Sequence, residues 1–519
     1  MYKIIENILA LLLVVVPFKA MGQLEVIHGN CTPDLNGSMP AAVQGMGAVK
    51  HKMPAINTNW DPTRTYHQMV ILIEFSDLEF SRVDAKAAYD SILNMSGYNE
   101  GSGPSCMADY FRTQSGGLLN LQFDIFGPVK VSKSARPSTQ KNYGQEAILE
   151  ATKMVVDQNP DYDYSVFDWD GDGYVNQVIV VTAGFCGNSG GGADGYLWPN
   201  TSTISTVETP DGYKIRNYSA SAERWPTSSV ASCGIGTICH EYSHSLGLPD
   251  IYPVNGWTYT AADEWDLMDG GNIINQGWCP SNYTALEKML MGWMTPIELT
   301  ESTTIEDLKP VEEGGAAFII RHTDNEYLML ENRQWRGWDL GVPGKGLVIY
   351  HVNYDDFRWR NNTVNNVANK LNFSLIHADN MDYDDWKNYC SAMRLKQYRR
   401  SVWLNSRYLS TSPYPWTTDS TSTVLDSLTI NSVPAPVMYN KNDSDEVILS
   451  KAITNIRMSE DGLISFDFMG GDPNGIRTAT WSEEQVPAVF DLSGRRVRQT
   501  GRGLLLKRDS KGKIRKLFQ

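Results

Sequence analysis

His240-Glu241-Tyr242-Ser243-His244-Ser245-Leu246-Gly247-Leu248-Pro249-Asp250 is the stretch on which the reading of this chain turns. Two histidines in an i, i+4 relation project from one face of a helix, about one turn apart. Both imidazoles can therefore reach one zinc ion, while Glu241 beside the first can hold and deprotonate a water on that ion. Gly247 ends the helix, because glycine accepts the left-handed conformation that turns the chain back. The turn can bring Asp250 to the same metal, completing the three protein ligands that a catalytic zinc needs. Glu264 is the alternative third ligand if the turn runs differently. Only eight histidines occur in 519 residues, so two of them around a glutamate is not a casual pairing.

The motif resembles the longer zinc signature of metzincin-type peptidases, with an aspartate where most have a third histidine. Downstream, Trp265-Asp266-Leu267-Met268-Asp269-Gly270-Gly271 resembles the Met-turn, whose methionine, here Met268, supports the metal from below without binding it. Together they are most similar to the secreted immune-inhibitor-A-like zinc metallopeptidases. The likeness continues in short segments from about Gln68 to about Phe468, Asp109-Tyr110-Phe111 and Gln114-Ser115-Gly116 among them. The resemblance implies an α+β chain: a metzincin-like zincin catalytic domain, built of a mixed twisted sheet plus helices, then a β-rich accessory region. It implies a peptide substrate paired by strand addition with an edge strand, taken to be the last one before the zinc helix.

The start of the chain reads as a targeting segment. Lys3 precedes the apolar run Ile8 to Val16, and Ala20-Met21-Gly22 supplies small residues before Gln23. That is the pattern of a secretory signal peptide over 1–22. The run is too short for the ~20 apolar residues of a membrane span, and no stable membrane insertion is expected. A net charge of −15 argues against nucleic acid as a partner. Seven cysteines, at 31, 106, 186, 233, 239, 279 and 390, permit disulfides after export, but sequence alone does not pair them.

Residues 23–65, without a clear period, read as a pro-segment or N-terminal arm, with Cys31 or Asp34 able to occupy the open metal position of a zymogen. An ordinary surface arm is the equal alternative. The catalytic domain is expected over 66–296. It opens with the apolar run Met69 to Phe75, a buried strand. Helices are expected over Ser81 to Asn94, Gln145 to Gln158 (stopped by Asn159-Pro160) and Tyr283 to Trp293. Strands are expected over Leu118 to Ile125, Gln177 to Val181, Leu197 to Pro199 and Tyr213 to Glu223. From 297 to 470 short strands separated by Gly, Asn, Asp and Pro suggest a β-rich accessory domain ending in a hairpin over Asn455 to Phe468. His351 and His377 in that region read as hydrogen-bonded residues rather than ligands. The Asn- and Arg-rich stretch 353–372 reads as a long loop whose Trp359 can touch substrate. The basic segment 471–519 resembles the C-terminal sorting tails of proteins exported by the type IX route, with a remnant β-hairpin as the alternative.

Asp168-Trp169-Asp170-Gly171-Asp172-Gly173-Tyr174-Val175-Asn176 carries a second possible metal site. Carboxylates at alternate positions, with glycine at the sixth, match the first half of a calcium loop, with Tyr174 and Asn176 completing its ligand positions. Ile179 stands where the bidentate glutamate would be, so a helix-loop-helix is excluded. A structural Ca²⁺ is the preferred reading and a solvated acidic turn the bland one.

The functional expectation is a secreted, zinc-dependent endopeptidase acting on proteins or peptides. Zinc polarises the scissile carbonyl and acidifies its water; Glu241 takes the proton and passes it to the leaving amine. Tyr252 and Tyr283 are the candidate oxyanion donors. The alternative class is a catalytically weak or inactive zincin-fold protein that binds glycan or host protein through its β region. Glu241 between the two histidines weighs against it, because a pure binder has no use for that carboxylate. Oligomeric state is not legible in the sequence.

Overall fold

A computed structural model describes residues 53–518 apart from 99, 101–102, 189–192, 226–231, 257–258, 260, 393–408, 419–421, 472–487, 491–503 and 509–513. The expected signal segment, Cys31 and Asp34 lie outside the described residues. Among the described residues no helix is long and apolar enough to cross a membrane.

The first sheet holds β1 (Thr65–Glu74), β2 (Asn120–Lys130), β3 (Val178–Phe185), β4 (Asn200–Glu208) and β5 (Lys214–Arg224), in the order β2-β1-β3-β5-β4. β2, β1, β3 and β5 run parallel, and β4 is antiparallel to β5 at the edge. β1 and β3 are apolar runs because both faces are covered. Val70, Leu72, Ile179 and Val181 enter the core shared with the metal-motif helix, while Met69, Ile71, Ile73, Val178 and Val180 enter a second core. That second core is closed by the helix Gln145–Gln158, whose bounds match its sequence pattern.

Helix α1 (Ala85–Asn94) starts later than the sequence suggests, because Asp84 caps it by accepting from the Ala87 amide. Helix α2 spans Met107–Gln114, α3 Gln145–Gln158, α4 Gly236–Ser245 and α5 Ala285–Leu290. α5 is shorter than expected: a capping box between Thr284 and Glu287 sets its start, and the turn at Gly292 follows its end. The expected strand over Leu197 to Pro199 is displaced; the chain becomes β4 only at Asn200, after the proline that lacks a donor. β5, the last strand before the motif helix, is not the edge strand. The hairpin through Thr209 and Gly212 places β4 outside it.

A second sheet contains β6 (Ile297–Glu298), β8 (Phe318–Arg321), β9 (Glu326–Arg333), β10 (Gly346–Asn353) and β11 (Phe373–Leu375), while β7 (Thr303–Leu308) pairs with the strand Ile464–Phe468 of the expected hairpin. β9 and β10 are buried along their whole length. Their two-residue period divides them between two cores. Tyr327, Met329, Val348, Tyr350 and Val352 pack into the core that contains α4, whereas Leu328, Leu330, Leu347 and Ile349 pack against the third sheet. One continuous core therefore joins the motif helix to the β-rich region. In the basic tail, the strands Ala488–Phe490, Leu504–Arg508 and Ile514–Phe518 form a three-stranded antiparallel sheet.

Polar ties cross the same boundary. Arg333, with no exposed surface, forks onto Asp339 with both bonds at 2.6 Å and also donates to Glu331 at 2.9 Å and to the Trp265 carbonyl at 3.1 Å. Burial alone would destabilise this guanidinium, but Asp339 and Glu331 hold it charged. The loop that begins at Trp265 is thereby tied to the second sheet.

Candidate metal centre

The motif helix α4 is buried from Gly236 to His244, so its polar side chains must all find partners. At its C-terminus Leu248 N–H bonds to Ser243 O and Gly247 N–H to His244 O, both at 3.1 Å, the double bond pattern that reverses a chain. Gly247 sits at φ +106°, and a Cβ there would come within 2.6 Å of Ile56 and 2.9 Å of the Pro54 carbonyl. Only glycine makes this turn here. The reversal points the Leu248 carbonyl at the His244 ring, where Nδ1 bonds it at 2.8 Å. His240 Nδ1 bonds the Leu267 carbonyl at 2.9 Å, immediately before Met268. Both Nδ1 atoms thus carry a proton, so each ring would offer a bound cation the lone pair of its Nε2.

Those lone pairs converge with Asp250. Its Oδ1 lies 3.2 Å from His240 Nε2 and 3.3 Å from His244 Nε2, and it takes no hydrogen bond. Two imidazole nitrogens and an orphaned, buried carboxylate oxygen facing one point form the donor set that suits a zinc ion. His240, His244 and Asp250 are grouped within ligand reach, and Glu264 lies outside that group. Burial opposes ionisation of Asp250, yet the two imidazoles outweigh it and hold its carboxyl far below the usual range. Burial likewise lowers His244, but Asp250 more than reverses this, raising it to about 9. A cation at this point would replace those protons.

Glu241 is buried beside the ligands, and burial, partly offset by His240 and His244, raises its pKa. Thr201 of edge strand β4 reaches its main-chain carbonyl at 2.5 Å and its Oε2 at 3.2 Å, and Ser219 of β5 donates to the same carbonyl at 2.9 Å. These two hydroxyls tie the general-base candidate to the sheet. Nothing local in the sequence marked them. Glu241, His244 and Asp250 open onto a cavity of about 970 Å³ whose wall includes Thr201, Tyr252 and Asn362. The arm residues Pro54 to Asn57 border it as well.

Tyr252 stacks on His240 at 6.3 Å and lines the cavity; burial, then Asp250, pushes its hydroxyl well up. Tyr283 is buried with its hydroxyl on Ser243 and does not border the cavity. Met268 is fully buried, its amide bonded to Asp266 at 2.6 Å and its carbonyl accepting from Ile251 at 2.9 Å. Trp359, expected to touch substrate, is buried in the shared core instead. His351 bonds Glu326 at 2.7 Å and His377 bonds Ser412 at 2.8 Å, in keeping with their reading as hydrogen-bonded residues.

Asp170, Asp172, Tyr174 and Asn176 of the acidic loop also line the cavity. Asp168, Asp170 and Asp172 each offer an oxygen within 4.8 Å of the others. Backbone amides already engage two of them: Asp168 accepts from Gly171, Asp172 and Gly173, and Asp172 from Tyr174. Burial and the neighbouring carboxylates raise Asp170. Asn176 Oδ1 accepts from the Trp169 amide at 2.5 Å, and Tyr174 pairs its main chain with Lys214.

Residues 57–291 match the family model described as the immune inhibitor A peptidase M6 catalytic domain. The chain is 24% identical to Immune inhibitor A of Bacillus thuringiensis subsp. alesti over 276 residues, covering 42% of this chain and 38% of that protein. It is 23% identical to the Pre-pro-metalloprotease PrtV of Vibrio cholerae over 272 residues, covering 43% of this chain and 30% of the relative. The chain thus spans well under half the length of these curated relatives. The matched span holds the histidine pair, the glutamate, the aspartate and the methionine-bearing loop. Through residues 57–291, this chain is similar to the catalytic domain of the immune inhibitor A peptidase M6 family.

Proposed function

We propose that this chain is a secreted, zinc-dependent metalloendopeptidase with a metzincin-like catalytic domain and a β-rich accessory region. The observation that carries the reading is the convergence of His240 Nε2, His244 Nε2 and the orphaned Asp250 Oδ1, with the Glu241 carboxylate opening onto the same cavity. Zinc bound there would supply Lewis acidity toward a peptide carbonyl and toward water. The chain supplies the rest. Glu241 takes the proton of the attacking water and delivers it to the leaving amine, a task suited by a buried carboxyl whose pKa burial raises above the ordinary glutamate value. Edge strand β4, paired on one side only, offers main-chain groups beside Thr201 on which an extended peptide can align. Tyr252 is the remaining candidate for stabilising the oxyanion. The N-terminal sequence carries the export reading, and the acidic loop is assigned a structural calcium on the convergence of its three carboxylates.

Casein zymography of the purified chain, with and without a zinc chelator, tests the reading. Clearing that the chelator abolishes and added zinc restores is the expected result. Stoichiometric zinc without any clearing would favour the zincin-fold binding protein instead.

A further inference from the structure

The segment that carries the third ligand is gripped by side chains from the asparagine-rich stretch of the β-rich region, 112 residues further along the chain. Asn362 faces Asp250 with both ends of its amide. Its Nδ2 donates to Asp250 Oδ2 at 2.7 Å, and its Oδ1 accepts from the Asp250 amide at 2.7 Å. Asn365, fully buried, donates to the Ile251 carbonyl and to Phe373 O at 2.8 Å each, and accepts from Asn372 and Phe373. Asn366 Oδ1 accepts from the Val254 amide at 2.8 Å, while its carbonyl accepts from Asn255 at 2.9 Å.

The residue type follows from the geometry. An asparagine amide carries an acceptor and a donor side by side, so one side chain can meet a backbone N–H and a carboxylate oxygen together. Asn362 sits at φ +52°, a left-handed conformation that asparagine tolerates better than other residues with a Cβ. The consequence for Asp250 is asymmetric. Oδ2 is committed to Asn362, and Oδ1 alone is left to face the two imidazoles.

We propose that Asn362, Asn365 and Asn366 are the positioning element of the metal centre: Asn362 presents Asp250 as a one-oxygen ligand, and its two neighbours hold the turn behind it. The element lies beyond residues 57–291, so the family's catalytic span receives part of its metal-site support from the β-rich region. This rests on the zinc reading of His240, His244 and Asp250.

The test is a double-mutant cycle on the full chain, read as zinc affinity by competition with a chromophoric chelator. Asn362→Gly removes the amide without straining the backbone. It should lower zinc affinity about 10–100-fold, the usual effect of losing a partner of a metal ligand, with the far-ultraviolet circular dichroism unchanged. In an Asp250→Ala background the same change should cost less than about threefold, because the group it positions is gone. Should Asn362→Gly not fold, Asn366→Ala replaces it in the cycle, with a smaller loss and the same dependence on Asp250. Unchanged zinc affinity in the single variant, or equal losses in both backgrounds, would overturn the proposal. Unchanged affinity in Asp250→Ala alone would overturn the ligand reading itself, and the positioning role with it, a result recognisable without any substitution at 362.

Discussion

Replacing Glu241 by glutamine separates chemistry from folding at this site, because the two should move in opposite directions. The amide keeps the shape and the hydrogen-bond reach of the carboxylate, and it leaves His240, His244 and Asp250 untouched. Zinc content should therefore stay at the wild-type level. Turnover should not: losing a positioned general base costs roughly 10²–10⁴-fold, about 2.7–5.4 kcal/mol of transition-state stabilisation. Stability of the metal-stripped protein follows a different sign. Burial raises the Glu241 pKa in the fold, so the folded state favours the protonated form. That contribution is fully present below the ordinary carboxylate pKa and is lost as pH rises through the folded value. Above the folded value the wild type carries the cost of an ionised buried carboxylate, and the glutamine variant does not. Metal-stripped Glu241→Gln should melt above metal-stripped wild type in that range, with the gap closing on acidification. A variant holding stoichiometric zinc and working within about tenfold of wild type would refute the assignment of the proton transfer. The assays are a fluorogenic peptide, zinc analysis and calorimetry across pH.

Three further outcomes follow from the same structure. Arg333→Met should cost about 3–5 kcal/mol in denaturant unfolding, since Glu331 and Asp339 would be left buried without their cation; a loss under ~1 kcal/mol would show the network to be dispensable. Cys186 and Cys233 bring their sulfurs within 3.1 Å in a small buried cluster with Trp225, so equilibration with oxidised glutathione should yield a 186–233 cross-link in an unreduced peptide map, whereas recovery of both as alkylated thiols would rule the pair out. Calcium should raise the melting temperature of the wild type and leave Asp170→Ala unmoved; an equal response in both proteins would place any calcium effect elsewhere.

What the sequence could disclose was set by range. Helix α3 was legible because fourteen residues carry a helical period and Asn159-Pro160 closes it, all local information. The metal helix was legible because two imidazoles, a carboxylate and a glycine fall within three turns of chain. The edge strand was misplaced for a complementary reason. Which of two hairpin strands lies outside depends on the sheet that receives them, and β3 pairs with β5 rather than with β4. In β9 and β10, likewise, nothing in the apolar runs says that alternate residues enter different cores. The asparagines at 362, 365 and 366 looked like loop composition, since their partners lie over a hundred positions away.

The chemistry of those partners was nevertheless implicit in the ligands. An imidazole that offers Nε2 to a metal has an N–H left at Nδ1, so it requires an acceptor, and His240 and His244 both find carbonyls. A carboxylate has no hydrogen to give and one oxygen to spare, so it requires a donor, and Asp250 finds the amide of Asn362. A histidine in place of Asp250 would turn that demand round, and Asn362 would have to present its oxygen instead of its nitrogen. The same amide oxygen is already committed to the Asp250 backbone, so the flip would break one bond to make the other. On the proposed zinc reading, aspartate as third ligand and asparagine at 362 are therefore one choice made twice. An Asp250→His substitution in this chain should bind zinc poorly unless position 362 is changed with it, for instance to aspartate, which offers acceptors alone. Zinc affinity restored in the Asp250→His, Asn362→Asp pair but not in Asp250→His would bear the argument out. Equal affinity in the two would show that the third ligand's partner does not matter.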